Sequence, residues 1–184
     1  MVETLAALMT ADEFFTMSFP DGRAELIQGE VFQMSPAGGE HGTLAMRLGG
    51  RLFAYVETHK LGEVCAAETG FIIARNPDTV RAPDTAFISN ERLTGVTRPK
   101  KFWPFAPDLA VEVVSPGDTA EEIEQKVKDW FSGGTRLVWI AYPSSQTIHI
   151  YHSAISVQIL QKGDVLTGDD VVPGFSCAVA DIFV

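Results

Sequence analysis

Two stretches of the chain place apolar residues at the three-to-four-residue spacing of an amphipathic helix. The first covers residues 40–59 and ends near Gly62. The second follows Asp118 and Thr119, each of which can cap a helix because a glutamate lies three residues later, and it stops at Gly133. Its apolar stripe comprises Ile123, Val127, Trp130 and Phe131. The pattern therefore predicts two main helices.

Short apolar runs between turn signals predict strands in the rest of the chain. Residues 24–34 predict a hairpin that turns at Gln28-Gly29. Two consecutive strands are predicted over 63–75 and 79–89, separated by a turn at Asn76-Pro77-Asp78. The remaining predicted elements are a loop over 90–107, a strand from 109 onward, and strands over 136–142, 147–152 and 156–162. This order indicates an α/β (α+β) fold with a central mixed β-sheet flanked by the two helices, and with additional N- and C-terminal β-hairpins.

Composition limits the class of protein. A chain of 184 residues with 46% hydrophobic residues can form one domain over residues 1–184 with a substantial core. The N-terminal stretch lacks the pattern of a secretion signal, and no apolar run is long enough to span a bilayer, so we expect a cytoplasmic protein with no membrane contact. The net charge of −10 opposes binding to phosphate backbones, although carboxylates that hold a divalent cation would be partly neutralised.

A glutamate interrupts the most apolar predicted strand. In "LAVEVVSP", residues 109–116, Glu112 lies within a segment that is typical of a strand buried on both faces. A buried carboxylate is costly unless a cation compensates it. Asp84 poses the same question, because it follows Pro83 within the apolar strand predicted over 79–89 and would share a face with Ala82 and Ala86. A cation shared by the two acids is the simplest explanation.

Lys126 is predicted to return to the level of Glu112. The strand continues about 10 Å beyond Glu112 at 3.3 Å per residue. A helix from Asp118 to Lys126 climbs about 12 Å in the opposite direction. From the spacing alone, a lysine that reaches Glu112 and a lysine whose side chain is solvated are equally favoured. A third acid, Glu25 in the N-terminal hairpin, is by itself typical of a surface residue.

These segments resemble a known family. The stretches "GRAELIQGEVFQMSPAGGEH", "APDTAFIS" and "APDLAVEVVSPGDTAEEIEQKVKDWFSGGTRLVWIAYP" are similar to the Uma family of endonucleases, a bacterial branch of the PD-(D/E)xK restriction-endonuclease-like superfamily. The resemblance spans roughly residues 10–184. It implies that Asp84 and Glu112 are the two signature acids and that Glu25 is an extra acid. Val114 stands where the signature lysine is expected, and the family commonly moves that lysine to the following helix, at Lys126.

The resemblance implies hydrolysis of phosphodiester bonds in nucleic acid, with DNA as the expected substrate. Asp84 and Glu112, with the backbone carbonyl of Val113, would hold Mg²⁺, for which Mn²⁺ could substitute, and Glu25 would bind a second ion or a metal-bound water. Lys126 would orient or deprotonate the attacking water. His41 is either an accessory catalytic residue or a histidine at a helix start or in the core.

Other interpretations stay open from the sequence. The loop "RPKKFWPF", residues 98–105, could stack on a nucleic-acid strand, or its aromatic residues could pack in a homodimer interface. The chain could also be a nuclease-fold protein with weak or no cleavage that serves as a homodimeric binding or assembly module. A metal-dependent hydrolase of small phosphate esters is a third interpretation that suits the acidic charge.

Overall fold

The computed structural model describes residues 8–19 and 23–184, which form four α-helices and twelve strands. The helices are α1 (Ala11–Thr16), α2 (Gly39–His59), α3 (Asn90–Leu93) and α4 (Ala120–Ser132). The first six strands are β1 (Arg23–Ile27), β2 (Glu30–Met34), β3 (Gly62–Ala66), β4 (Phe71–Ala74), β5 (Thr79–Arg81) and β6 (Thr85–Ser89). The others are β7 (Leu109–Val113), β8 (Leu137–Tyr142), β9 (Thr147–Ser153), β10 (Ser156–Leu160), β11 (Val165–Thr167) and β12 (Ser176–Ala178).

The strands form one large mixed sheet and two smaller antiparallel sheets. The large sheet has the order β10-β9-β8-β7-β6-β3, and its only parallel pair among the described residues is β7 with β8. A four-stranded sheet has the order β2-β1-β5-β4, and β11 pairs with β12 near the C-terminus. The predicted mixed sheet, the hairpin around Gln28-Gly29 and the pairing of the strands predicted over 147–152 and 156–162 are therefore confirmed. The pair β11 and β12 was not predicted.

Helices α2 and α4 cover opposite faces of the large sheet, as predicted. Leu48 and Leu52 of α2 pack with Val111 and Trp139, whereas Val127 of α4 packs in a second cluster with Ala110 and Val138. Because strand side chains alternate between faces, Glu112 lies on the same face as Ala110, toward α4. Thr119, rather than Asp118, caps α4, and it forms a capping box with Glu122.

Two strands that the sequence predicts as continuous are each divided in the structure. Residues 63–75 contain β3 and β4, and residues 79–89 contain β5 and β6, with each pair split between the large sheet and the four-stranded sheet. Pro83 has no N–H to continue a ladder, so the chain leaves one sheet after Arg81 and enters the other at Thr85. The prediction that Asp84 lies within a strand is therefore wrong, because Asp84 lies in the crossing between sheets.

The aromatic loop is part of the core. Trp103 is buried and forms a bridge with Phe71, and Phe102 packs against Phe14. The indole of Trp103 is therefore free neither to stack on nucleic acid nor to join a homodimer interface. Both interpretations are therefore wrong for Trp103, and they stay predictions for the rest of the loop. Gly70 lets the loop lie directly beside β4, where an added Cβ would meet the Phe102 ring at 2.3 Å.

Helices α1 and α3 were not predicted. Each is too short to produce a recognisable apolar period, although Thr10 and Glu13 form a capping box at the start of α1. Among the described residues, none of the helices combines the length and hydrophobicity that a bilayer span requires.

Candidate active site

Glu112 is held by two polar groups from one face of α4. Lys126 Nζ lies 3.1 Å from Glu112 Oε2, and Trp130 Nε1 donates a hydrogen bond of 3.1 Å to Oε1. Residues four apart face the same side of a helix, which lets both groups reach one carboxylate. The predicted proximity of Lys126 to Glu112 is confirmed. Trp130 was predicted as a core residue, but its hydrogen bond to Glu112 was missed.

Asp84 is attached to the strand that carries Glu112. Its Oδ2 accepts a hydrogen bond of 2.8 Å from the Val113 N–H. Two basic side chains approach the same carboxylate, with Arg23 Nη1 at 3.5 Å from Oδ1 and His41 Nε2 at 3.1 Å from Oδ2. The break after β5 therefore directs Asp84 to the carboxyl end of β7, where it meets Glu112.

His41 is a buried histidine near the start of α2. Its hydrogen bond to Asp84 raises the pKa of the imidazole, although burial opposes this shift. Within the described part of the chain, its Nδ1 has no hydrogen-bond partner. The residue is thus both a helix-start histidine and a direct neighbour of a candidate acid.

The two acids differ in how their environments affect ionisation. Burial alone would raise the pKa of Asp84, but the hydrogen bond and charge of His41, with the Val113 N–H, hold that pKa below its usual value. Burial raises the pKa of Glu112, Lys126 opposes the shift, and the charges of Asp84 and Glu25 add to it. A cation placed beside the Glu112 carboxylate would lower this raised pKa.

Lys126 is mostly buried and remains charged. The Glu112 carboxylate raises the pKa of its ammonium despite the cost of burial. The interpretation of Lys126 as a freely solvated lysine is therefore wrong. Its stem lies along α4 while its ammonium reaches the end of the sheet, an arrangement that long basic side chains commonly adopt.

Glu25 is buried next to the candidate site but is held by other groups. Arg81 Nη1 donates to Glu25 Oε2 at 2.6 Å, and the Ala82 N–H donates to Oε1 at 3.0 Å. Arg81 Nε also donates to Asp129 at 3.0 Å, so it joins β1 to α4. The surface interpretation of Glu25 is wrong. Arg81 was not predicted as a site residue. Like Glu112, it is a charged residue within an apolar run, and it therefore also requires a compensating partner.

One open cavity of about 360 Å³ brings the central groups together. Its lining includes Arg23, His41, Asp84, Glu112, Val113 and Lys126. Glu25 is not among the residues that line it. The cavity is also bordered by the turn at 115–118 between β7 and α4. Of the four predicted catalytic residues, Asp84, Glu112 and Lys126 therefore meet in one space, and Glu25 lies behind it.

The groups that are present suit one Mg²⁺ ion. Within residues 8–19 and 23–184, no group of three or more histidine, cysteine, aspartate or glutamate side chains is arranged to hold a metal. Mg²⁺ commonly uses one or two carboxylates and keeps several waters. Asp84 and Glu112 supply carboxylate oxygen atoms, which are hard ligands, in a cavity that Val113 also lines. These donors fit a single, partly hydrated ion.

Comparisons with known proteins identify the fold and the family of the chain. No curated protein matches the chain. A crystal structure of a putative nuclease of the DUF820 family from Anabaena variabilis is similar, with a TM-score of 0.81 and 17% sequence identity over 95% of this chain and 97% of that one. This similarity confirms the restriction-endonuclease-like fold. The model of the Uma2 family, described as a putative restriction endonuclease, matches residues 11–180. The chain belongs to the Uma2 family.

Proposed function

We propose that the protein is a Mg²⁺-dependent endonuclease that hydrolyses phosphodiester bonds in nucleic acid, with DNA as the principal substrate. The observation that supports this proposal best is the meeting of Asp84, Glu112 and Lys126 in one open cavity, although they come from a crossing loop, a strand and a helix. Family membership makes a nuclease the first class to test.

Each group has a distinct proposed role. Asp84 and Glu112, with the Val113 carbonyl, hold the ion, and Mn²⁺ can replace Mg²⁺ at hard oxygen ligands. The bound ion supplies charge stabilisation for the phosphoryl group and lowers the pKa of a water. Lys126 donates a hydrogen bond and places a positive charge near the phosphoryl group. It does not act as a base, because Glu112 raises the pKa of its ammonium.

Arg23 and His41 complete the proposed phosphate site. Both approach Asp84 and line the cavity, so each can donate to a substrate phosphate that displaces part of its contact with the carboxylate. Glu25 does not suit the role of a second metal ligand because it does not line the cavity and is paired with Arg81 instead. We therefore favour a one-ion site in which Glu25 acts as a buried countercharge.

The experiment that tests this function is cleavage of end-labelled DNA and RNA oligonucleotides with Mg²⁺ or Mn²⁺. The wild-type protein should cleave internal bonds, and Asp84→Asn should lose activity by at least about 100-fold because it removes a ligand charge at the reacting centre. A metal-independent reaction, or full activity in Asp84→Asn, would reject the proposal.

A homodimeric binding or assembly module remains the second candidate. Arg23, His41 and Lys126 already balance the two cavity acids, so the site can persist without a metal ion. Sedimentation analysis of the full chain distinguishes the two candidates when it is read beside the cleavage assay. A stable dimer without cleavage under any metal favours the module.

A further inference from the structure

A second, larger cavity lies beside the candidate active site. It has a volume of about 830 Å³ and lies between α2 and β3. Arg23, His41 and Asp84 line both cavities, so the two spaces are adjacent at these side chains. We call the larger one the α2 groove. Any substrate phosphate placed between Arg23 and Asp84 would lie at its entrance.

The α2 groove is wide and apolar away from that entrance. Its lining beyond His41 includes Ala45, Met46, Phe53 and Val64. The side chains of Met46 and Phe53 are 71% and 51% exposed, which is unusual for such residues on a helix that otherwise packs on the sheet. The groove therefore offers an apolar surface, unfilled by any described residue, beside the proposed phosphate site.

Glycine residues of α2, among them Gly42 and Gly49, line the groove. Gly49 permits a close approach to β6, since an added Cβ would lie 2.6 Å from Thr85 Oγ1. At Gly42, by contrast, an added Cβ would meet no atom within 4 Å. A larger side chain could thus be accommodated at position 42, where it would project into space that none of residues 8–19 and 23–184 fills.

The distribution of cations does not suit a long duplex. Most lysine and arginine side chains are paired with carboxylates, namely Arg23, Arg75, Arg81, Arg92, Arg98, Lys101, Lys126, Lys128 and Arg136. A duplex carries a phosphate charge about every 1.7 Å along its axis, whereas a single strand carries about half that density. A protein with a net charge of −10 therefore repels a single strand less strongly than it repels a duplex.

We propose that the α2 groove binds an unpaired nucleobase next to the scissile phosphate, so that the substrate class is single-stranded or locally unpaired nucleic acid. This inference rests on the proposed function. The flat faces of a base need an apolar and aromatic surface, which Met46 and Phe53 supply. A base within an intact duplex stays stacked between its neighbours and cannot enter the groove without being extruded.

Fluorescence anisotropy with full-length protein tests this inference. The probes are a short labelled single strand and the same sequence as a blunt duplex, with Ca²⁺ in place of Mg²⁺ and probe integrity checked on a gel. We expect the single strand to bind at least about tenfold more tightly than the duplex, since base stacking contributes roughly 1–3 kcal/mol per base.

Two variants locate the binding. Gly42→Leu fills the groove and should weaken single-strand binding about tenfold, and Phe53→Ala should weaken it several-fold. Gly39→Leu makes the same change one turn earlier on α2, outside both linings, and should bind as the wild type does. Replacing a helical glycine by leucine favours the helix, so a loss in Gly42→Leu would not reflect unfolding.

The outcomes separate this inference from the proposed function. Equal or tighter binding of the duplex, unchanged binding in Gly42→Leu, or no binding of either probe would overturn the groove assignment. Single-strand binding that depends on position 42, with no cleavage under Mg²⁺ or Mn²⁺, would support the groove and reject the nuclease.

Discussion

Lys126 Nζ lies 3.1 Å from Glu112 Oε2, although 14 residues separate them along the chain. The contact arises because β7 ends at Val113 and α4, which begins at Ala120, runs back along the sheet. Glu112 faces α4 by strand alternation, and Lys126 is a polar neighbour of the buried α4 stripe. The pair thus allows a glutamate to lie within an apolar strand.

Loss of Lys126 should destabilise the fold. Lys126→Met leaves Glu112 buried without its cation, and we expect the free energy of unfolding to fall by about 2 kcal/mol at neutral pH, less than for a fully buried pair. Lys128→Met on the same helix removes only an exposed pair with Glu124 and should cost less than about 0.5 kcal/mol. Urea denaturation measures both, and equal effects of the two substitutions would contradict this account.

Mg²⁺ should raise the midpoint of thermal unfolding. An ion at 100 times its dissociation constant stabilises the native state by about 2.7 kcal/mol, which corresponds to several degrees for a protein of this size. Asp84→Asn should abolish the shift because it removes a ligand charge. Asp170→Asn, at a site that is 83% exposed, should keep it. An unchanged midpoint of the wild type at millimolar Mg²⁺ would argue against an ion site.

The contact between His41 and Asp84 should make stability depend on pH. Because the folded-state pKa of His41 lies above its ordinary value of 6.5, its charged contact stabilises the protein fully below pH 6.5 and is lost as pH rises through the raised pKa. Asp84 has a lowered pKa, so its contribution is lost when the solution becomes acidic enough to protonate it.

The measurement is the difference in unfolding free energy between wild type and His41→Gln, taken without divalent metal across the pH range. It should be about 2 kcal/mol near pH 6, as for a hydrogen bond to a charged group, and should decrease toward pH 9. A difference that stays constant or grows with rising pH would show that His41 is neutral when it contacts Asp84.

Glu25 and Arg81 should be energetically coupled. Arg81→Met leaves Glu25 buried without a cationic partner and should lower the free energy of unfolding by about 3 kcal/mol. Glu25→Leu should lower it by a comparable amount, because it leaves Arg81 with Asp129 as its only acidic partner of the two. The double variant should be more stable than the sum of the two losses predicts, by at least about 1 kcal/mol. Additive losses in a denaturation cycle would mean that the contact contributes nothing of its own.

Local patterns in the sequence were sufficient to predict much of the fold. Apolar spacing predicted α2 and α4, and the rise per residue of strand and helix predicted the approach of Lys126 to Glu112. The division of residues 79–89 was not predicted, although Pro83 marks it, because choosing between a bulge and a change of sheet requires knowledge of the neighbouring strands.

Pairing across sheets could not be predicted from local patterns. Arg81 and Asp129 are 48 residues apart. The contacts of Arg81 with Asp129 and Glu25 depend on how the four-stranded sheet meets α4. The same dependence explains why Glu25 looked like a surface residue. Trp103 was misinterpreted for a similar reason, since its proline-rich loop has no periodicity but packs on β4.

The most direct test of the central claim compares the single-turnover cleavage rates of Lys126→Met and Lys128→Met, under conditions in which both variants are folded and Mg²⁺ is saturating. Our account predicts that Lys126→Met cleaves an oligonucleotide at least about 100-fold more slowly than wild type, because the positive charge at the reacting phosphate is lost, whereas Lys128→Met cleaves at the wild-type rate. Equal rates for the two variants would contradict it.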